Sequence, residues 1–255
     1  MFRSTRPLKR WRYVGVFCKE LMACAAVVRV GPLIQSFWAV LPRSDGRLRE
    51  RTRLLHRRSV VLESRQLRIN DTGVLLELSL DENDGIQALC THGREHVWTR
   101  KQAGVPARGT LALDGGPERQ IEALAVIDDT AGYHARFTEW WWSAGVGEGP
   151  DGTPLAWNLV AGVNDPPTGS ERAVWVAETP RETPPVTFDE DLSRIRCEDG
   201  SDLRFLPEAQ RSRRENLLIV RSDYRAPFGS FSGTLPGGIE LAHGLGVVEH
   251  HRAHW

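Results

Sequence analysis

Residues 132–164 read GYHARFTEWWWSAGVGEGPDGTPLAWNLVAGVN, two alternating runs dense in tryptophan on either side of a glycine-rich turn. Apolar alternation around such a turn specifies a β-hairpin. Side chains alternate along a strand, so Arg136, Thr138, Trp140 and Trp142 share one face and Phe137, Glu139 and Trp141 the other. On the returning strand Trp157 and Leu159 oppose Asn158. Large rings on both faces require a sheet that is buried on both sides, or one whose second face lines a cavity. The first arrangement is a tryptophan core with Arg136 stacked at its rim. In the second, Trp140 and Trp142 bind an apolar or planar ligand while Arg136 and Asn158 orient it.

The same punctuation recurs outward from the hairpin in both directions. Runs rich in β-branched or aromatic residues include Trp11–Phe17, Leu21–Val30, Gln35–Leu41, Val74–Leu80, Thr110–Leu113, Gln120–Ile127, Ala135–Trp142, Leu155–Val163, Leu217–Ser222 and Leu245–His250. Asp45-Gly46, Asp71-Thr72-Gly73, Asp84-Gly85, Asp114-Gly115, Asp151-Gly152 and Asp199-Gly200 lie between them and supply the positive φ of tight turns. The chain is therefore all-β and antiparallel, a sandwich or barrel. The best helical spacing is Pro207–Asn216, which also reads as an extended strand with its arginines outward. A polar turn at 127–132 divides the chain into halves 1–128 and 129–255.

At 255 residues the chain is long enough to bury roughly 70–75% of its unfolded surface. Thirty-three basic and 33 acidic residues cancel, so no global field favours nucleic acid or an anionic membrane. Lysine is scarce, with only Lys9, Lys19 and Lys101, and the arginines are spread along the chain. Cys18, Cys24, Cys90 and Cys197 show neither a CxxC pair nor a repeated spacing, which fits free thiols in a cytoplasmic setting. Arg3, Arg6, Lys9, Arg10 and Arg12 ahead of an apolar stretch imitate a secretory leader. Lys19-Glu20 interrupts that stretch, so two strands meeting at a charged turn are expected instead. No run reaches the roughly 18 apolar residues of a membrane-spanning helix.

Three motifs lack the context their chemistry needs. His92-Gly93-Arg94-Glu95-His96 spells the inverted zinc-protease pattern, but Gly93 and the following Val97-Trp98-Thr99 oppose the helix it requires. In Gly229-Ser230-Phe231-Ser232-Gly233 a phenylalanine stands where a nucleophile elbow needs serine. Gly145, Gly147 and Gly149 precede no helix, so they fit a hairpin loop better than a phosphate cradle. His250, His251 and His254 do not converge on a strand, and neither a metal nor a cofactor is expected. Val247, Glu249 and His251 do share one face of the last strand. Residues two apart lie roughly 7 Å from each other, able to bracket a reacting group or a water, which makes Glu249 and His251 the candidates for proton transfer.

The ordered blocks Lys9-Arg10-Trp11-Arg12-Tyr13, Gln35-Ser36-Phe37-Trp38, Val97–Lys101, Glu139–Ser143, Asp151-Gly152 with Trp157-Asn158-Leu159, Arg221–Tyr224, Pro227–Gly229 with Phe231–Gly233, and Gly246–Trp255 resemble the uncharacterised DUF2804 family over nearly the whole chain. Trp141 departs from that family's pattern, which expects a basic residue there. Members usually carry residues ahead of the Lys-Arg-Trp block, so a further N-terminal strand or arm is expected in front of this one. A more distant similarity to calycin-like proteins, among them carotenoid hydratases and AttH-type proteins, implies two lipocalin-like barrels and an apolar ligand. Three functions follow as expectations: a hydratase- or isomerase-type enzyme for a lipid- or isoprenoid-like molecule, a non-catalytic carrier of the same ligand, or a carbohydrate-binding β-sandwich.

Overall fold

The computed structural model describes residues 6–54, 59–217 and 220–254. The first sheet holds β1 (Lys9–Phe17), β2 (Leu21–Val30), β3 (Leu33–Pro42), β4 (Arg49–Leu54), β5 (Val60–Glu63), β6 (Gln66–Asp71), β7 (Val74–Leu80), β8 (Ile86–His92), β9 (Glu95–Leu113) and β10 (Arg119–Gly132). The second holds β11 (Phe137–Glu148), β12 (Pro154–Ala161), β13 (Ala173–Val176), β14 (Thr179–Glu182), β15 (Val186–Phe188), β16 (Arg194–Cys197), β17 (Asp202–Leu217), β18 (Val220–Leu235) and β19 (Ile239–His254). Every pairing is antiparallel, and no helix occurs among the described residues. In the first sheet the order runs β4-β3-β2-β1-β10-β9-β7-β6-β5, with β8 also on β9; in the second it runs β14-β13-β12-β11-β19-β18-β17-β16-β15.

Both sheets curl on themselves, as their cores require. Val14, Leu21, Trp38 and Val40 from one flank of the first sheet share a buried cluster with Val60, Leu67, Ile69 and Leu78 from the other flank. Asp71, at the end of β6, latches the two flanks. It accepts hydrogen bonds from Trp38 Nε1 (3.1 Å), Arg51 (3.1 Å) and Arg53 (2.6 and 2.9 Å). Burial alone would raise its carboxyl, but the bonds from Arg53, the Thr72 N–H and Trp38 hold it well below the usual carboxylate range. The second sheet closes likewise around Leu155, Trp157, Leu159, Val186, Ile195, Phe205, Phe231 and Val248. Each is thus a lipocalin-like barrel or half-barrel, with its own apolar interior.

Strand alternation leaves each sheet a second apolar face, and these two faces pack on each other. Tyr13, Phe17, Met22 and Ala26 from the first sheet meet Trp142, Ala144, Tyr224 and Phe228 from the second. The tryptophan hairpin is therefore buried on both sides: Trp142 faces the other sheet, and Trp157 lies inside its own.

All six expected Asp-Gly or Asp-Thr-Gly turns fall between strands, with positive φ at each glycine, such as 79° at Gly152. The N-terminal apolar stretch is the hairpin β1–β2, turning at Cys18–Glu20. Three expectations are corrected. Pro207–Asn216 is extended, within β17, and Arg211 is buried at 3% exposure against the first sheet while Arg213 and Arg214 are exposed. The expected strand Leu217–Ser222 is instead the β17–β18 junction, of which residues 218 and 219 lie outside the described residues, as does Trp255 of the final block. Thr110–Leu113 is only the end of the much longer β9, whose pattern is broken by a bulge at Gly104 (φ 74°) and by Pro106.

Trp157 anchors the second interior. It is fully buried, meets the Phe231 ring edge-on at 4.9 Å, donates to Ser143 Oγ at 3.0 Å, and leaves no room for a Cβ on Gly145, which would lie 2.3 Å from it. Trp157→Ala is expected to cost about 3–5 kcal/mol in urea unfolding, by opening a cavity in a closed core. A cost below about 1 kcal/mol would show that this ring is not a packing anchor.

Candidate active site between the sheets

Where the two outer faces diverge they enclose a cavity of about 440 Å³. Ala26, Val28 and Phe37 form one wall, Trp140, Trp142 and Val160 the other, and the exposed Leu33 and Leu54 stand at the rim. The cavity lies between the sheets rather than inside either barrel. A larger open trough of about 590 Å³ runs past Phe137, Arg214, Asp223 and Arg252 at the strand ends, where Arg214 is 82% exposed. It does not include Glu249 or His251.

The register of β11, β18 and β19 builds one end of the cavity. Trp142 pairs with Glu249, Trp140 with His251, and His251 with Tyr224, so all five side chains project from neighbouring positions of one face. Trp140 Nε1 donates to Glu249 Oε1 at 2.8 Å. His251 packs against the Trp140 ring, 4.3 Å between centroids, and its Nε2 is 2.7 Å from Ser222 Oγ. Its Nδ1 lies 3.8 Å from Glu249 Oε1, closer than the strand spacing alone suggests, because both side chains lean toward each other. Burial pushes the Glu249 carboxyl up to about 7, against the opposing hydrogen bond from Trp140. Burial pushes His251 down to about 3, helped by the neighbouring His250. Near neutral pH the site holds a carboxyl that can give a proton beside an imidazole that is uncharged.

Arg211 closes this end from β17. Its guanidinium lies 4.0 Å from the Phe37 ring centre and 5.2 Å from that of Tyr224, and it donates to Thr52 Oγ1 at 2.6 Å. Its Nε is 3.0 Å from Glu50 Oε2, an ion-pair distance at which the N–H is not aimed at the oxygen. The other end holds a buried charge cluster. Lys101 Nζ lies 2.7 Å from Asp128 Oδ1 and 3.3 Å from Glu171 Oε1. Trp11 Nε1 and Thr130 Oγ1 also donate to Asp128, at 3.2 and 2.8 Å. Burial would lower the Lys101 ammonium, but the two carboxylates outweigh it and hold the proton on.

The sequence-derived candidates separate cleanly. Glu249, His251, Trp140 and Trp142 line the cavity together. Asn158 stands behind it, accepting from Trp142 Nε1 at 2.8 Å and donating to the Glu171 carbonyl at 2.8 Å. It orients the wall instead of meeting the cavity. Arg136 is solvent-exposed on the connection ahead of β11, one residue before regular pairing starts, so alternation does not carry it inward. Sequence reasoning missed Tyr13, Lys101, Asp128, Glu171, Arg211 and Tyr224, which come from segments far apart in the chain. Lysine scarcity was one usable signal, since two of the three lysines, Lys9 and Lys101, are almost wholly buried. His92 ends β8 at a turn and bonds Asn164 Oδ1 at 3.0 Å, and among the described residues no cluster of three or more His, Cys, Asp or Glu is placed to hold a metal. All four cysteines are free.

Because the folded chain keeps Glu249 protonated up to about pH 7 while the unfolded chain releases that proton near 4.5, stability is lost as pH rises through this window. Glu249→Gln does not titrate, so relative to it the wild type should lose up to about 3 kcal/mol between pH 4.5 and 7.5. Urea unfolding of both proteins at the two pH values reads this directly. A constant difference would mean that Glu249 titrates in the folded chain as it does in the unfolded one.

The architecture is shared with solved structures of low identity. An AttH-like protein of Nitrosomonas europaea aligns at 13% identity and TM-score 0.56, covering 96% of this chain and 92% of that one. Kievitone hydratase from Nectria haematococca aligns at 11% and 0.58, covering 95% and 88%. CghA, also solved with Sch210972, aligns at 9% and 0.55, covering 97% and 88%. At these identities the likeness concerns the fold. No curated protein matches the sequence. The model of the family described as a domain of unknown function, DUF2804, matches residues 55–255, a narrower span than the sequence blocks suggested because β1–β4 precede it. With most of its length inside that match, including strands β11, β18 and β19 of the second sheet, the chain belongs to the DUF2804 family.

Proposed function

We propose that the cavity between the sheets takes an apolar, lipid- or isoprenoid-like small molecule and that Glu249 and His251 carry out acid–base addition of water to, or its removal from, a carbon–carbon double bond. The observation that carries this reading is the pair itself: a carboxyl raised to about 7 and an uncharged imidazole, 3.8 Å apart, facing a wall of aromatic and aliphatic side chains. In hydration Glu249 gives its proton to one alkene carbon. Positive charge then develops on the adjacent carbon, where the faces of Trp140 and Trp142 stabilise it. Water adds to that carbon and loses a proton to His251. With Nε2–H donating to Ser222 Oγ, Nδ1 is the free base, and it lies on the side of Glu249. Transfer of the proton from His251 back to Glu249 restores both groups, and the reverse sequence is dehydration. That a structural neighbour is named a hydratase supports this reaction class.

A carrier would use the same cavity without turnover. A carbohydrate site would present accessible rings, and Trp142, at 6% exposure, is enclosed. Native mass spectrometry of the protein from its own host, followed by solvent extraction, should reveal a stoichiometric apolar compound. Incubated with that compound or its dehydrated partner, the wild type should exchange water across the double bond, with a rate that falls about tenfold per pH unit above pH 7 as Glu249 ionises. Glu249→Gln and His251→Phe should each slow turnover by about 10²–10⁴-fold with affinity nearly unchanged. Intact affinity with no wild-type turnover would instead identify a carrier.

A further inference from the structure

His134 is 1% exposed, lines the cavity, and has no hydrogen bond on either ring nitrogen. The Gly132 carbonyl bears on the ring without the geometry of a bond. A neutral imidazole carries one donor and one acceptor, and leaving both unpaired in a protein interior costs free energy. The residue sits on the connection 133–136 that carries the chain from the first sheet to the second. That connection is pinned, because the buried Lys9 ammonium donates to the His134 carbonyl at 3.3 Å. The ring is wedged against Trp11, 4.9 Å between centroids, and meets His92 edge-on at 5.4 Å. The backbone and ring are thus held in place while the polar atoms are left for something else.

The location separates His134 from the reacting pair. Trp11 beside it bonds Asp128, and Lys101, paired with Asp128 at the end away from Glu249, bears electrostatically on the His134 ring. The Tyr13 hydroxyl, which has the weakly bonding Cys24 thiol beside it and no partner of full hydrogen-bond geometry, lies at the Glu249 end, with Tyr224 and Glu249 around it. The cavity therefore offers an unused polar group toward each end, and the Lys101–Asp128–Glu171 cluster is already paired within itself.

We infer that His134 is a specificity-determining residue: it hydrogen-bonds a hydroxyl or carbonyl oxygen at the end of the ligand remote from Glu249, so the cavity selects an apolar molecule oxygenated at both ends over the bare hydrocarbon. This rests on the reading of the cavity as a ligand site but not on turnover. The test is binding of trans-stilbene, 4-hydroxystilbene and 4,4′-dihydroxystilbene to the full chain, followed by quenching of tryptophan fluorescence. Each hydroxyl should tighten wild-type binding about tenfold, the worth of roughly one net hydrogen bond. In His134→Leu the gain from the second hydroxyl should vanish while the gain from the first, met at the Tyr13 end, remains. His134→Gln, which keeps a donor and an acceptor, should recover part of it. The Tm of unliganded His134→Leu should equal or exceed that of the wild type, because leucine leaves no unpaired nitrogen. A second-hydroxyl gain that survives in His134→Leu, or is missing in the wild type, overturns the assignment. So does a Tm drop of several degrees, which would make the imidazole a structural hydrogen-bond partner. Failure of all three compounds to bind the wild type would instead overturn the cavity reading beneath it.

Discussion

The alternation of side chains along a strand is the constraint from which the rest follows. A curled sheet has an inner and an outer face, and in this chain both are apolar over β1, β2, β11, β12 and β19. The inner face satisfies itself by curling. The outer face has no such recourse, and its burial requires a second sheet of the same kind. The cavity is the part of that contact where the two convex surfaces bend apart.

Lys101 and Arg211, the two buried cations at the cavity, depend on interruptions of that alternation. In β9 the bulge at Gly104 lets Lys101 and Ala103 face the second sheet while Val105 and Ala107 enter the first interior, although all are odd-numbered. In β17 the shift between Pro207 and Ala209 does the same for Phe205, which faces inward, and Arg211, which faces the cavity. Both bulges sit at the joint: a Cβ on Gly104 would lie 3.6 Å from Ala156, and the bulged Glu208 takes two hydrogen bonds of 2.8 Å from Arg43. Each extra residue therefore also ties one sheet to the other.

These interruptions mark the limit of what could be read from residues alone. The turns were legible because positive φ demands glycine beside aspartate, and Glu249 with His251 was legible because β19 alternates without a break between them. Arg211 was not, since counting by twos from Phe205 puts it on the wrong face. Arg136 failed for the opposite reason: the count from Trp140 was extended past the start of β11, where the rule stops applying. Tyr13, Lys101 and Asp128 meet the hairpin only through contact between sheets, which no local pattern encodes.

Because the cavity surface is the outer side of two sheets whose stability rests on their inner sides, the residues that line the cavity and those that hold each barrel together are largely different sets. A change at Val28 or Leu54 alters the cavity without touching Trp38, Leu67, Trp157 or Phe205. Such a division gives a lineage room to reshape the cavity while its scaffold stays mutationally robust. The brake on that reshaping is the group that serves both purposes, Tyr13, Ala26, Trp142, Val160 and Tyr224, which line the cavity and also weld the sheets.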